Sequence, residues 1–419
     1  MISMSTITDK GQFYASKIQQ NRYMSAVSSG LSSLLPVMVI GAFSSLLSSM
    51  QLGNYQELII PIKQYLALPA EYTTNMLAIY AVFMIANRLA HSFEKDGILA
   101  GITALISFFI VTPISFIQTE TGGFNALTFD WLGAKGLFAA IIIGLISCRL
   151  YIFIIDKKLV INMPDGVPPM ISKSFSSLIP TTLVCIVFVL VFALFEQTAY
   201  GSFHQAVYSI LQLPLQGLGN SIWSMLIAVF LMQLLWVLGI HGAIVVMTVM
   251  TPIWTALDLE NLYAFQNGLE RPNIISGMSV YSMLPPMIGL ALVLLFFTRS
   301  KELRTIAKLG APGTLFGIHE PLIFGLPVVL NPILAIPFTM SPVICLGIGY
   351  LLTVTGIVPI GFGITIPFGT PIILQGLVGG SWKFALVQIL LIPVCMLIWY
   401  PFVNILDKQK LISEEKIGS

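Results

Sequence analysis

The sequence predicts an all-α polytopic membrane protein of about ten transmembrane helices. Three observations carry that class. Of 419 residues, 56% are hydrophobic and only 9% charged, more apolar surface than one globular core could hide. Stretches free of Asp, Glu, Lys and Arg recur at lengths near the about 20 residues that cross a bilayer as helix. Basic residues cluster in alternate connections, as cytoplasmic retention requires. The net charge of +2 carries no nucleic-acid footprint.

Residues 1–23 are polar, with Lys10, Lys17 and Arg22, and lack the short apolar run of a cleaved signal peptide; they read as a cytoplasmic N-terminal segment. Five spans follow at 24–50, 72–87, 97–119, 136–155 and 174–195, making 24–196 the scaffold. The second is short, and the fourth keeps Arg149 by snorkelling. With the N-terminus inside, Arg88, Lys95, Arg149, Lys157, Lys158, Lys173, Arg299, Lys301, Arg304, Lys308, Lys408, Lys410 and Lys416 all fall on the cytoplasmic side. The C-terminus is then cytoplasmic too.

Residues 197–257 contain no Asp, Glu, Lys or Arg. Their first part, 197–218, mixes Gln, His204, Ser and Tyr with aliphatics, as an amphipathic linker helix does. A span at 219–238 stops at Gly239-Ile240-His241-Gly242, and the run 243–257 has the length of a re-entrant segment or a short tilted crossing. The span 281–298 ends inside at Arg299. From 309 to 406 the charges are Glu320 and Lys383, while prolines recur at 312, 321, 327, 332, 337, 342, 367 and 371. Each removes a donor and bends or ends a helix, and irregular backbone at membrane depth must line protein or a wet cavity. Residues 219–406 therefore read as a transport domain of broken helices, and 407–419 as a cytoplasmic tail. Cys148, Cys185, Cys345 and Cys395 lie singly in apolar stretches and read as packing residues.

Glu320 is the sharpest feature. A carboxylate within an apolar half faces a cavity and bonds a substrate, ion or proton; the alternative is a charge ending a cytoplasmic loop in water. His241, between Gly239 and Gly242, can donate and accept hydrogen bonds to a polar ligand, or cap a helix end. His319 contacts ligand, orients Glu320 or points elsewhere, since adjacent helical residues do not share a face. Phe368, in the Gly- and Pro-rich run 361–370, offers a ring for stacking or packs in the core. Trp131, Trp223, Trp254, Trp382 and Trp399 fall near span ends and read as interfacial anchors. The sequence has no phosphate-binding loop, metal cluster or spaced nucleophile constellation; no cofactor and no catalytic nucleophile are expected.

Four stretches bring up a resemblance: Asn162-Met163-Pro164-Asp165-Gly166-Val167-Pro168-Pro169 with Lys173-Ser174-Phe175 and Leu178-Ile179-Pro180; Gly239-Ile240-His241-Gly242-Ala243; Lys308-Leu309 and Pro312 leading into Gly317-Ile318-His319-Glu320-Pro321; and Phe324-Gly325-Leu326-Pro327 with Asn331-Pro332. Together they resemble the sugar-translocating IIC component of the bacterial phosphotransferase system, in the lactose, cellobiose and diacetylchitobiose branch. The resemblance implies a homodimer in the bacterial cytoplasmic membrane, with the first five spans at its interface and two re-entrant hairpins in a mobile transport domain. It implies a disaccharide or related β-glycoside held by Glu320 and His241, with Gly242, Ser279, His319 and Phe368 nearby, carried inward and phosphorylated by a cytoplasmic IIB protein served by IIA. Three places depart from the branch: His319 replaces a usual Asn, 366–368 lacks a usual Trp, and a Gly- and Ser-rich loop reads Ser276-Gly277-Met278-Ser279-Val280. A proton-coupled secondary carrier also explains a carboxylate beside a histidine, and a non-transporting membrane receptor is the third reading.

Overall fold

The computed structural model describes residues 17, 20–50, 54–119, 122–164, 166–276, 279–326, 328, 331–367 and 369–418, with side chains for all but 279–284 and 415–418. The chain forms two compact units, Gln19–Gly217 with Thr248–Leu259, and a second made chiefly of Leu218–Met247 with Glu260–Ser419. Six described helices are long and apolar enough to cross a membrane: Arg22–Ser49, Ala134–Asp156, Pro169–Glu196, Gly242–Gln266, Pro332–Val354 and Trp382–Glu414.

The first unit contains α1 (Arg22–Ser32), α2 (Leu35–Ser49), α3 (Tyr55–Ile59), α4 (Lys63–Glu71), α5 (Leu77–Ser92), α6 (Gly97–Val111), the strands β1 (Ile114–Thr119) and β2 (Gly122–Leu127), α7 (Leu137–Asp156), α8 (Pro169–Glu196), α9 (Phe203–Val207) and α10 (Leu213–Gly219) up to Gly217. Its centre is α5, packed against α1, α6 and α7. Leu77, Ala78, Ala81, Val82, Ile85, Ala86, Leu89 and Ala90 are all buried at helical spacing; the small alanines let neighbouring backbones approach, which is how helices associate where water supplies no drive. Buried hydroxyls return to their own helices, as Ser107 Oγ does to Thr103 O at 2.8 Å. Thr103 Oγ1 also meets Thr181 Oγ1 at 2.9 Å, tying α6 to α8.

Asp96 caps α6, accepting from Ile98 N and Leu99 N at 3.1 and 3.2 Å, and pairs with Lys173 Nζ at 3.3 Å. Burial is the largest single influence on its carboxyl and pushes upward, but the two amides and the ammonium together hold it below the ordinary aspartate value. Arg149, expected to snorkel, is exposed and lies over the Phe93 ring at 5.1 Å.

The third expected span, 97–119, is corrected. Helix α6 ends at Val111 because Thr112 precedes Pro113, whose ring disfavours helical backbone at the residue before it; Thr112 has ψ 126. The chain then forms an antiparallel hairpin, Ile114 opposite Leu127 through Thr119 opposite Gly122, a departure from an all-α fold. The linker stretch is helical with a π turn at Tyr208–Gln212. His204 is wholly buried there, Nδ1 3.2 Å from Val111 O and its ring among Phe108, Trp131 and Phe203.

The second unit holds α11 (Ile222–Val237), the ends of α12 (Gly242–Gln266), α13 (Ser279–Phe297), α14 (Lys301–Thr314), α15 (Glu320–Gly325), α16 (Pro332–Val354), α17 (Ile372–Gly379) and α18 (Trp382–Gly418). The run at 243–257 is not a short segment but part of a 25-residue helix. It continues because late charges find partners: Glu260 Oε2 accepts from Asn273 Nδ2 at 3.1 Å. Prolines also act differently from expectation. Pro321 and Pro332 stand in first turns, where the missing donor costs nothing, whereas α16 runs unbroken through Pro337 and Pro342. The irregular backbone is instead concentrated at 355–367, where Asn261 Nδ2 donates to Asn273 O at 2.8 Å and Gly361 O at 3.3 Å and Asn261 Oδ1 accepts from Asn273 N at 2.9 Å. The expected tail from 407 is helical as part of α18 through Gly418.

Two smaller expectations change as well. Trp254 and Trp399 are buried, so they pack in cores and do not serve as interfacial anchors. Cys345 and Cys395 are not isolated: their Sγ atoms stand 3.2 Å apart between α16 and α18.

Candidate functional site

The Gly239-Ile240-His241-Gly242 break is built by local backbone chemistry. Just past the end of α11, Gly239 takes φ +79, and the amides of Gly239 and Ile240 bond back to Trp236 O at 3.0 Å and Leu235 O at 2.9 Å. That pattern satisfies the last carbonyls and needs a residue free to take positive φ. His241 then caps α12, its Nδ1 accepting from Ile244 N at 3.4 Å. With Nδ1 an acceptor, the ring proton belongs on Nε2, leaving a donor for a ligand. Gly242 is buried, and a Cβ there would run into the Met232 carbonyl.

Glu320 is the first residue of α15 and is exposed. Among the described residues it forms no ion pair, so its carboxylate has free lone pairs. One turn later Phe324, on the same helical face, is 70% exposed.

Trp236 joins these two places. Its ring centroid lies 4.3 Å from the His241 imidazole, and 6.1 Å from Phe324 in an edge-to-face contact. The structure thus brings His241, Trp236 and the α15 helix bearing Glu320 into one cluster. A donor, a carboxylate and two aromatic faces suit a neutral polyhydroxylated ligand with an apolar ring face. Sequence reasoning missed Trp236 and Phe324. The i to i+4 spacing from Glu320 was the available signal for Phe324; Trp236 had none beyond its place one turn before the glycine break.

The remaining expected residues divide. His319 is half-buried, its Nε2 shielded from solvent and without a hydrogen-bond partner among the described residues. Its carbonyl accepts from Leu322 N and Ile323 N at 3.0 and 3.1 Å, which starts α15. Ser279 is the first residue of α13, its side chain outside the described residues. Phe368 lies outside the described residues altogether, and Ser276, at the edge of the departing loop, is buried.

Comparison with known proteins adds three findings. The family model described as "Phosphotransferase system, EIIC" matches residues 28–342. The oligo-β-mannoside-specific EIIC component of Bacillus subtilis (strain 168) is 33% identical over 416 residues, covering 96% of this chain and 93% of that protein; the cellobiose-specific EIIC component of Geobacillus stearothermophilus is 34% identical over 429 residues, covering 98% and 95%. The crystal structure of the transporter ChbC, the IIC component from the N,N′-diacetylchitobiose-specific phosphotransferase system, superposes with a TM-score of 0.91 at 33% identity, covering 96% of this chain and 98% of that one.

Proposed function

The chain belongs to the phosphotransferase system EIIC family, a sugar-translocating permease of the bacterial plasma membrane, and from that membership we propose that its substrate is a β-linked disaccharide bound between His241 and Glu320. The sugar is carried inward by movement of the 219–406 transport domain against the 24–196 scaffold. Cytoplasmic IIB and IIA proteins are its phosphorylating partners; a homodimer with cytoplasmic termini is the working unit. Relatives named for cellobiose and oligo-β-mannosides support the β-linked class.

The observation that carries this reading is the Trp236 contact to both His241 and Phe324. It supports one site in which His241 Nε2 donates to a hydroxyl, Glu320 accepts from others, and Trp236 and Phe324 cover the ring's apolar face. A hydrogen bond to a charged group contributes about 1.5 to 3 kcal/mol, so Glu320→Gln weakens binding roughly 10- to 100-fold.

The test is thermal stability and binding of the purified protein with cellobiose, N,N′-diacetylchitobiose, lactose and glucose. One disaccharide stabilises the native chain by mass action, and Glu320→Gln and His241→Ala each reduce the effect at equal sugar concentration. Stabilisation unchanged in both variants, or given by no sugar, overturns the assignment. Uptake that needs IIB and a phosphoryl donor, and survives collapse of the proton gradient, separates this reading from proton coupling.

A further inference from the structure

The last helix, α18, reaches back to hold the start of α14. Asp407, almost fully buried, accepts from Arg299 N at 3.0 Å on each carboxylate oxygen and from Ser300 N at 2.8 Å. Glu414, two turns on, accepts from Ser300 Oγ at 2.6 Å, Glu302 N at 3.1 Å and Lys301 N at 3.4 Å. Ser300 Oγ accepts from Leu303 N at 3.3 Å, and Lys410 Nζ pairs with Glu302 at 2.7 Å. Every amide from Arg299 to Leu303 therefore has a side-chain acceptor. A helix start usually obtains such acceptors from its own N-cap residue. Here Ser300 does that locally, and the two carboxylates, more than 100 residues away in sequence, fix the same turn to another helix.

The far end of α14 is locked to α15. A Cβ on Gly310 would stand 2.5 Å from Leu322 Cδ2, and one on Gly325 2.7 Å from Ile306 Cγ2, so the two helices pack closely, backbone against side chain. Ile318 N bonds to Gly313 O at 2.9 Å across the connecting turn. Packed contacts thus run without a break from the turn at residue 300 to the helix that begins at Glu320.

We propose that Asp407 and Glu414 are positioning residues for the sugar site, clamping α14 so that α15 presents Glu320 in its binding position. This rests on the assignment of Glu320 to that site. Neither clamp residue touches sugar.

Two measurements test it. Without sugar, hydrogen exchange of the native chain is compared with Asp407→Asn and Glu414→Gln. About tenfold faster exchange is expected at 319–326 as well as at 299–314; acceleration confined to 299–303 overturns the proposal. With cellobiose and N,N′-diacetylchitobiose, each clamp variant weakens the dissociation constant of the bound sugar about tenfold, with little further effect in a Glu320→Gln background, as coupled sites require. Effects that simply add to Glu320→Gln mark general destabilisation and overturn it. If Glu320→Gln alone leaves binding unchanged, the site assignment has failed, and the exchange result still decides whether the clamp reaches α15. Glu414→Gln, at a more exposed position, keeps the test open should Asp407→Asn not fold.

Discussion

The Trp236 ring lies 4.3 Å from the His241 imidazole, tilted 47° to it, so a residue in the last turn of α11 and the residue that caps α12 share one surface. The sequence separates them by a glycine turn, and that turn is what lets the rings meet. An indole held this way is fixed before any ligand arrives, which reduces the ordering cost of binding.

Trp236→Ala should weaken disaccharide binding about tenfold or more, since it removes a large apolar face and a neighbour that fixes His241. Trp236→Phe should retain part of the affinity. Titration calorimetry of both variants checks the order; equal affinity for Ala and native chains rejects a role for the ring.

Gly242→Ala should be damaging despite adding one methyl group. The new Cβ meets the Met232 carbonyl and Leu235, and backbone on one side cannot yield as a flexible side chain does. Overpacking of this kind costs about 1 to 3 kcal/mol, read as a lower melting temperature and loss of sugar binding together.

Asp96 gives a pH dependence. Its carboxyl is held below the ordinary aspartate value in the folded chain, so its contribution is complete above the unfolded value, about 3.9. The contribution fades as pH falls through the folded value. Chemical denaturation from pH 6 downward should show stability decreasing below about pH 4, with a smaller decrease in Asp96→Asn and in Lys173→Gln.

Ala81→Leu tests the core of the first unit. Ala81 is fully buried on α5, where helices approach through small side chains, so a larger residue should lower stability by about 1 to 3 kcal/mol. Thermal unfolding followed by loss of monodisperse protein measures it.

The sequence reading found the features whose cause is local. Glu320 stood out as a carboxylate in an apolar half, and the glycines flanking His241 announced a break whose geometry is set by four neighbouring residues. It did not find what depends on contacts between distant segments. Trp236 and Phe324 meet across about 90 residues. Helix α12 seemed to stop before Asp258 because nothing local reveals that Glu260 will meet Asn273. The hairpin after α6 was hidden differently: Pro113 was visible, but the apolar Ile114-Ser115-Phe116-Ile117 behind it imitates a continuing span.

The dependence of α14 on Glu414 reaches into how this protein can be handled. Chain removed from residue 411 onward takes away an acceptor for three first-turn donors, so trimming there is not a neutral clean-up of a dangling end. A reporter or affinity handle fused directly after 414 would load the same helix end. Handles attached with a flexible spacer beyond 418, or at the other terminus, leave the clamp intact, and sugar affinities measured on differently tagged preparations should be compared with that in mind.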